Sequence, residues 1–222
     1  MRLYLAGQKA FGTAVFEAAR KAGHEIVQVS APAWGGCGLL RDRLRDAAEK
    51  AGVPWLEAGK LCAETMPAGV DLIVAAHSHD FIGRKTRLKA PLGALGYHPS
   101  LLPRHRGRDA VRWTVHMGDP VAGGSVYWLT DNVDCGPIAA QEHVFVGRDE
   151  TPEGLWRDKL FPLGVKLMLA ALGDVARGRI VARRQNEDFA TWEPSWARPP
   201  LARPDLDLIG CLPEGYRLEG RA

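Results

Sequence analysis

The sequence contains few cysteines, and their spacing excludes the sites that paired cysteines build. Only four occur in 222 residues (Cys37, Cys62, Cys135 and Cys211), and no two form a C-x-x-C pair. Zinc knuckles and disulfide frameworks need cysteines at close, regular spacing. The pattern is therefore that of a protein with reduced thiols, as expected for an enzyme of the cytosol.

Long apolar runs are also absent. The first run, "RLYLAG" at 2–7, ends at a glycine and is too short for the core of a signal peptide. No stretch of the chain reaches the roughly 18 apolar residues that a membrane span requires. We therefore expect a soluble, cytoplasmic protein that has no membrane partner.

A strong excess of one charge is missing as well. The chain has 29 lysines and arginines against 26 acidic residues, which leaves a net charge of +3. Proteins that bind nucleic acid normally show a dense basic patch, so we expect no nucleic-acid partner. The small positive balance is compatible with an anionic small-molecule ligand, and assembly as a homodimer remains open.

What the sequence does contain is an alternation of strand-like and helix-like segments. Apolar runs and periodicity predict strands at 2–7, 24–32, 70–76, 92–98, 123–131 and 136–146, and helices at 9–23, 39–53 and 151–178. Pro162 and Gly164 should kink or split the last helix. The alternation predicts an α/β protein with a Rossmann-like, doubly wound, mostly parallel sheet.

The composition changes near residue 183, and we predict a domain over 1–182 followed by an extended tail over 183–222. Prolines at 194, 199, 200, 204 and 213 argue against a regular helix or a central strand in the tail. Trp192 and Trp196 are costly to leave in water. The tail is therefore expected to pack on the domain.

Two common ligand sites find little support. The first strand–helix turn, "LAGQKAFG", lacks the G-x-G-x-x-G pattern of a dinucleotide site. His77 and His79 could bind zinc together with His98, but no cysteine or carboxylate stands at a convincing spacing. We therefore expect no metal and interpret these histidines as the lining of a polar pocket.

The run "GYHPSLLPRHRG" at 96–107 places one histidine, His98, at the end of a predicted strand. Pro99 restricts the backbone of His98 to extended conformations, and Pro103 stiffens the exit of the turn. Asp134, in "TDNVDCGP", lies on another loop that leaves the same sheet. Since an aspartate can orient a histidine or move protons with it, we predict His98 and Asp134 to be the catalytic pair.

The runs "YHPSLLPRHRG" and "VHMGDPVAGGSVYWLTDNVDCGPIAAQ" resemble the signature of the folate-dependent formyltransferase family. The similarity covers about residues 1–180 and is strongest to the hydrolase domain that begins the 10-formyltetrahydrofolate dehydrogenases. It implies the formyltransferase fold, with 10-formyltetrahydrofolate as the formyl donor. It also implies folate contacts from two loops and the histidine strand, at His77, Ser78, His79, Phe81, Tyr97, Ser100, Asp131, Val133 and Cys135.

One position departs from the family pattern. Transferases of this family typically carry an asparagine where this chain has Gly96. The resemblance implies that this amide helps to stabilise the developing oxyanion, and losing one such donor costs about 10²–10³ in rate. A water, a backbone N–H, His77, Ser78 or His79 could replace it.

The reaction that we favour from this pattern is hydrolysis to tetrahydrofolate and formate. The alternatives are formyl transfer to an amine, either a small molecule or a sugar nucleotide, and a folate-binding module with weak catalysis. A tRNA acceptor is unexpected, because too few residues follow position 180 for a further domain. Arg104, Arg106 and Arg108 either attract an anionic part of the substrate or form a solvated basic turn.

Overall fold

The computed structural model describes residues 1–35, 40–78 and 80–196. Seven strands form one sheet in the order β3-β2-β1-β4-β5-β6-β7. The strands are β1 (Arg2–Gly7), β2 (Glu25–Ala31), β3 (Trp55–Glu57), β4 (Leu72–Ala76), β5 (Ala94–His98), β6 (Val121–Trp128) and β7 (Ile138–Phe145). β1 to β5 pair in parallel, whereas β6 runs antiparallel to both β5 and β7.

The helices connect and cover these strands. They are α1 (Lys9–Lys21), α2 (Arg43–Lys50), α3 (Arg84–Arg87), α4 (Ala110–His116), α5 (Pro152–Gly154) and α6 (Phe161–Ala176), with a short 3₁₀ turn at Glu187–Phe189. The helix predicted over 39–53 is shorter at its start because Asp42 caps it, its carboxylate accepting from the Leu44 N–H at 2.9 Å.

The long helix predicted over 151–178 is interrupted one turn before the place that its sequence indicated. A π-helical turn at Leu155–Leu160 separates α5 from α6. Pro162 stands in the first turn of α6, where its missing N–H costs least. The extra residue of the π turn lets the chain enter a regular helix at the proline without breaking its direction.

The core lies on both faces of the sheet, as in a doubly wound fold. The larger cluster packs α1 and α6 on one face, around side chains such as Phe11, Leu95 and Leu167. A smaller cluster on the other face includes Tyr4, Ile73 and Met66. Among the described residues, no helix is long and apolar enough to cross a membrane.

The part of the tail that the structure describes, residues 183–196, packs on the domain, and we call it the C-terminal strap. Arg183 exchanges backbone hydrogen bonds with Ile138 at the start of β7, at 2.7 and 2.9 Å. Further along, the Arg106 N–H donates to the Thr191 carbonyl at 3.0 Å. The strap therefore crosses the loop that follows His98. The remainder of the predicted tail, 197–222, lies outside the described residues.

Candidate active site

The structure brings His98 and Asp134 together. His98 is the last residue of β5, and Asp134 lies in the loop between β6, the neighbour of β5, and β7, the next strand in the sheet. The Nδ1 atom of His98 is 3.6 Å from Oδ2 of Asp134, and the two side chains are only 8% and 10% exposed. Both predicted catalytic side chains therefore share one enclosed position at the carboxyl end of β5, the edge at which open α/β sheets bind ligands.

The His98 ring is oriented by the loop that follows it. Its Nε2 atom is 2.6 Å from the backbone carbonyl of His105. Since a carbonyl oxygen only accepts, Nε2 carries the hydrogen in this contact. Nδ1 is therefore the nitrogen that faces Asp134, and it is the one available for chemistry.

Asp134 is held by donors from two different segments. Its Oδ1 accepts from the Tyr127 hydroxyl at 2.5 Å, and its Oδ2 accepts from the Gly107 N–H at 2.8 Å. Its backbone adopts a left-handed conformation with a φ of 53°, which aspartate tolerates better than most residues. The Gln185 side chain donates to its carbonyl at 2.8 Å. The carboxylate is thus fixed from the side chain and from the backbone.

His105 connects this pair to a buried charged cluster. Its ring lies 2.8 Å from Oδ2 of Asp119 through Nε2 and 3.1 Å from Oε1 of Glu193 through Nδ1. The second contact is at ion-pair distance but is not aligned as a hydrogen bond. Arg104 donates to both oxygens of Asp119 at 2.7 Å. These hydrogen bonds are the main reason why the pKa of Asp119 is lowered.

One interpretation of the sequence was that the arginines of the loop after His98 attract an anionic part of the substrate, and the structure places two of them differently. Arg104 is paired with Asp119, and Arg106 is buried at 2% exposure with its guanidinium bonded to Gln185 and Glu187 of the C-terminal strap. Both guanidinium groups therefore have carboxylate partners within the protein, although the Arg104 side chain is half-buried, with 42% of it exposed. Of the three, only Arg108 is exposed. The loop therefore uses its charges to hold the strap.

Tyr97 is also placed differently from the role that the resemblance implied. Its ring stacks on Phe11 at 5.1 Å between centroids, and its hydroxyl donates to the Leu160 carbonyl at 2.7 Å. Because side chains alternate along a strand, Tyr97 points to the face of the sheet opposite His98. Its position is that of a packing residue in the core under α1 and α6. Burial raises its pKa far above the ordinary tyrosine value.

The remaining predicted folate residues lie on three segments. Ser100 is buried and its hydroxyl donates to the Arg104 carbonyl at 2.6 Å, so it holds the turn after His98. On the loop after β4, His77 is exposed, Ser78 accepts from the Asp80 N–H at 3.0 Å, and Phe81 is 83% exposed. His79 lies outside the described residues.

The loop between β6 and β7 carries the other three. Val133 is 59% exposed, and the Cys135 thiol donates to the Val133 carbonyl at 3.0 Å. Burial raises the pKa of that thiol. Asp131 forms an ion pair with Arg87, which also donates to the Ile82 carbonyl at 2.8 Å. Arg87 therefore ties the loop after β4 to the loop that carries Asp134.

Across the described ranges, no three His, Cys, Asp or Glu side chains converge as a metal site requires.

Side chains from neighbouring residues of the sheet fill the space that a side chain at position 96 would take. A Cβ atom there would lie 2.9 Å from Cδ2 of Leu129 and 3.3 Å from Cε1 of Tyr127. A larger side chain at 96 would have to displace one of these groups.

Sequence reasoning predicted that His98 and Asp134 act as a pair, and the structure places them side by side. It missed the residues that hold the pair, chiefly Tyr127, His105, Asp119 and Gln185. His105 lies in the run "GYHPSLLPRHRG", but nothing in that run distinguished it from the arginines beside it. Tyr127 was part of a predicted strand and had no sequence signal beyond its alternation with neighbouring residues. Asp119 and Gln185 lie 14 residues from His105 and 51 residues from Asp134, respectively.

A mostly parallel α/β sheet that presents an enclosed His–Asp pair at the carboxyl end of a central strand is a Rossmann-like architecture with polar side chains at the edge where such sheets bind ligands. The chain belongs to the folate-dependent formyltransferase family: the model of the family described as "Formyl transferase" matches residues 2–172. The predicted family, fold class and enzyme class are therefore confirmed, and the formyl donor of this family is 10-formyltetrahydrofolate.

Two curated relatives show the range of the family. The chain is 38% identical over 204 residues to the mitochondrial 10-formyltetrahydrofolate dehydrogenase of Homo sapiens, a match that covers 87% of this chain and 22% of that protein. It is 32% identical over 200 residues to the methionyl-tRNA formyltransferase of Anaeromyxobacter dehalogenans, covering 86% of this chain and 64% of that protein. The chain thus spans about a fifth of the dehydrogenases it matches.

Solved structures show the same fold. Glycinamide ribonucleotide transformylase 1 from Symbiobacterium toebii superposes with a TM-score of 0.66 at 24% identity, covering 82% of this chain and 94% of that one. An N-formyltransferase from Helicobacter canadensis, in complex with folinic acid and dTDP-3-aminofucose, superposes with a TM-score of 0.71 at 14% identity, covering 86% and 69%. At these identities the likeness establishes the fold alone.

Proposed function

We propose that this chain hydrolyses 10-formyltetrahydrofolate to tetrahydrofolate and formate, with His98 and Asp134 as its catalytic residues. The observation that carries the proposal is the enclosure of this pair: the two side chains, 3.6 Å apart, are 8% and 10% exposed. So little exposed surface favours a small nucleophile, such as water, over a bulky amine. The similarity to 10-formyltetrahydrofolate dehydrogenases supports the same reaction.

In the proposed mechanism, the oxygen of a water molecule bonds to the formyl carbon as Asp134 accepts a proton from that water. The proposed role of His98 is to accept this proton from Asp134 at Nδ1, to stabilise the tetrahedral intermediate as an imidazolium, and to deliver the proton to N10 of the folate as the C–N10 bond breaks. The second proton of the water is released to solvent as formic acid ionises. Formate and tetrahydrofolate leave. Because Nε2 of His98 is bonded to the His105 carbonyl, the ring keeps Nδ1 directed at Asp134 throughout.

The folate itself would bind between two loops. Phe81 and Val133 are 83% and 59% exposed, and they offer apolar contact to a pterin ring from the loops after β4 and before β7. His77, Ser78, Asp131 and Cys135 would supply polar contacts from the same loops. Ser100 would affect the substrate indirectly, by holding the turn that follows His98.

Formyl transfer to an amine is the second candidate function. It is favoured by the fold likeness to glycinamide ribonucleotide transformylase 1 from Symbiobacterium toebii. That match covers 82% of this chain and 94% of the transformylase. A folate-binding module with weak catalysis is the third. The cytoplasmic location, a homodimer and the lack of a nucleic-acid partner stay predictions.

The test is to incubate the purified chain with 10-formyltetrahydrofolate and to follow tetrahydrofolate and formate, with and without candidate amines. Equal amounts of both products without an amine support hydrolysis. Product formation only with an amine supports a transferase, and binding without turnover supports a module.

His98→Ala should lower turnover about 10²–10⁴-fold, as expected for loss of an acid–base group. His143→Ala is the matched control, because His143 is exposed on β7 and its ring contacts Phe145 at 5.6 Å between centroids. Full activity in the His98 variant would contradict the assignment of this residue.

A further inference from the structure

Tyr127 occupies a place beside the catalytic pair that nothing in the sequence marks. It pairs directly with Gly96 across β5 and β6, so its side chain lies on the same face of the sheet as His98, two residues further along β5. Its ring lies above Gly96, where a Cβ atom would come within 3.3 Å of Cε1. The missing side chain at 96 thus makes the room that this ring fills.

The hydroxyl of Tyr127 reaches the carboxylate. It is 2.5 Å from Oδ1 of Asp134, and the tyrosine is only 7% exposed. Burial, and then the charge of Asp134, raise the pKa of Tyr127 well above its ordinary value. The phenol therefore stays protonated at working pH and donates.

The two oxygens of Asp134 are divided between different partners. Oδ2 accepts from the Gly107 N–H at 2.8 Å and is the oxygen that lies 3.6 Å from His98 Nδ1. Within the described part of the chain, Tyr127 is the hydrogen-bond donor seen at Oδ1. Removing its hydroxyl would leave the carboxylate held by the Gly107 N–H alone, so that it could tilt about that one hydrogen bond and shift Oδ2 relative to His98.

We propose that Tyr127 is a positioning residue, which holds the Asp134 carboxylate in line with His98 and with the formyl group. This inference rests on the proposed function, because it assigns a reaction to the pair. It also accounts for glycine at position 96, since Tyr127 brings an O–H donor into the space that a side chain from 96 would otherwise take.

The test compares Tyr127→Phe with Tyr97→Phe. Each variant removes one buried phenol hydrogen bond from neighbouring strands, but the Tyr97 hydroxyl donates to the Leu160 carbonyl on the opposite face. Tyr127→Phe should lower kcat about 10–100-fold, the range expected for a hydrogen bond to a charged group. Its KM, and its Kd for the unreactive analogue 5-formyltetrahydrofolate, should stay within about twofold of wild type, because the folate loops are untouched. Tyr97→Phe should keep its kcat.

Equal kcat values in the two variants would overturn the proposal. A parallel loss of analogue affinity in Tyr127→Phe would overturn it as well, because that result would indicate a general disturbance of the site.

A swap of the donor tests the shared space directly. Gly96→Asn should be harmful alone because of its contacts with Tyr127 and Leu129, and less harmful in a Tyr127→Val background, where the amide can enter the vacated volume. If Gly96→Asn lowered kcat by the same factor in the Tyr127→Val background as in the wild type, the inference that position 96 and Tyr127 share this space would be contradicted.

An inactive wild-type chain would overturn the proposed hydrolysis, and a second measurement then decides on Tyr127. The unfolding free energies of Tyr127→Phe, Asp134→Asn and the double variant should be non-additive, whereas those of Tyr97→Phe and Asp134→Asn should add. Additive effects in the first cycle would show that Tyr127 and Asp134 do not interact, and would refute the inference whatever reaction the chain performs.

Discussion

Replacing Arg106 with methionine should separate the C-terminal strap from the loop that follows His98. Arg106 is 2% exposed, and its guanidinium donates to Oε1 of Gln185 at 2.7 and 3.2 Å and to the two oxygens of Glu187 at 2.7 Å. Gln185 in turn donates to the backbone carbonyls of Asp134 and Gly136 at 2.8 and 2.7 Å. One buried cation therefore ties the strap to the loop that carries Asp134.

The size of the effect follows from these contacts. A hydrogen bond to a charged group contributes about 1.5–3 kcal/mol, and methionine keeps most of the apolar stem of the arginine. The Glu187 side chain is 65% exposed and regains water when its partner is lost, so the buried contact with Gln185 dominates. We expect Arg106→Met to lower the free energy of unfolding by about 2–3 kcal/mol. In a chain of this length that corresponds to a fall in Tm of about 4–12 °C.

Thermal unfolding followed by circular dichroism or calorimetry measures this directly. Arg157→Met is the matched control: Arg157 also donates to both oxygens of an acid, Asp158, but its side chain is 74% exposed. The Tm of this variant should stay at the wild-type value. If the two variants melted at the same temperature, the account of Arg106 as the anchor of the strap would be refuted.

Two further predictions concern buried polar groups. Arg104 holds the pKa of Asp119 below its ordinary 3.8, so the stability that Asp119 contributes should be present above about pH 4 and lost as the pH falls through the folded pKa. In urea unfolding, the difference in unfolding free energy between wild type and Asp119→Asn should therefore be smaller at about pH 3 than at about pH 7. An equal difference at the two pH values contradicts this. Ser125→Ala leaves the buried Leu102 N–H without its acceptor at 3.1 Å and should lower the free energy of chemical unfolding by about 1–3 kcal/mol. Thr13→Ala, which removes an exposed hydrogen bond to the Lys9 carbonyl, should leave it unchanged. Equal unfolding midpoints for the two variants would contradict this prediction.

Much of the fold was accessible from the sequence because parallel strands are buried on both faces. The run at 72–76 is continuously apolar, and the structure places β4 at Leu72–Ala76 between β1 and β5. An interruption of the last helix was predicted from the chemistry of Pro162, but the structure places it at the π turn over Leu155–Leu160, before the proline. The three-residue β3 was not predicted, because so short a run carries no period.

The candidate site divides in the same way. His98 was identified because it ends a strand of the sheet, at the edge where such sheets bind ligands. Asp134 was identified from the loop that leaves β6, but β6 is antiparallel to β5, so the strand ends alone do not bring the two side chains together; the path of that loop does. The roles of Tyr97 and Arg106 were interpreted differently from what their positions show. For Tyr97 the alternation along β5 decides the face, and for Arg106 the partners lie about 80 residues away in the strap.

The sequence by itself determined the family, the order of most strands and helices, and the choice of His98 and Asp134 as a candidate pair. These follow from local properties: apolar periodicity, proline and glycine, and a short run of residues around His98. Only the tertiary structure decided that Tyr127 and Gly107 donate to Asp134, that His105 orients His98 through its carbonyl, and that the strap closes over this loop. These contacts join segments that are distant along the chain, and their geometry depends on side-chain packing that no local pattern encodes.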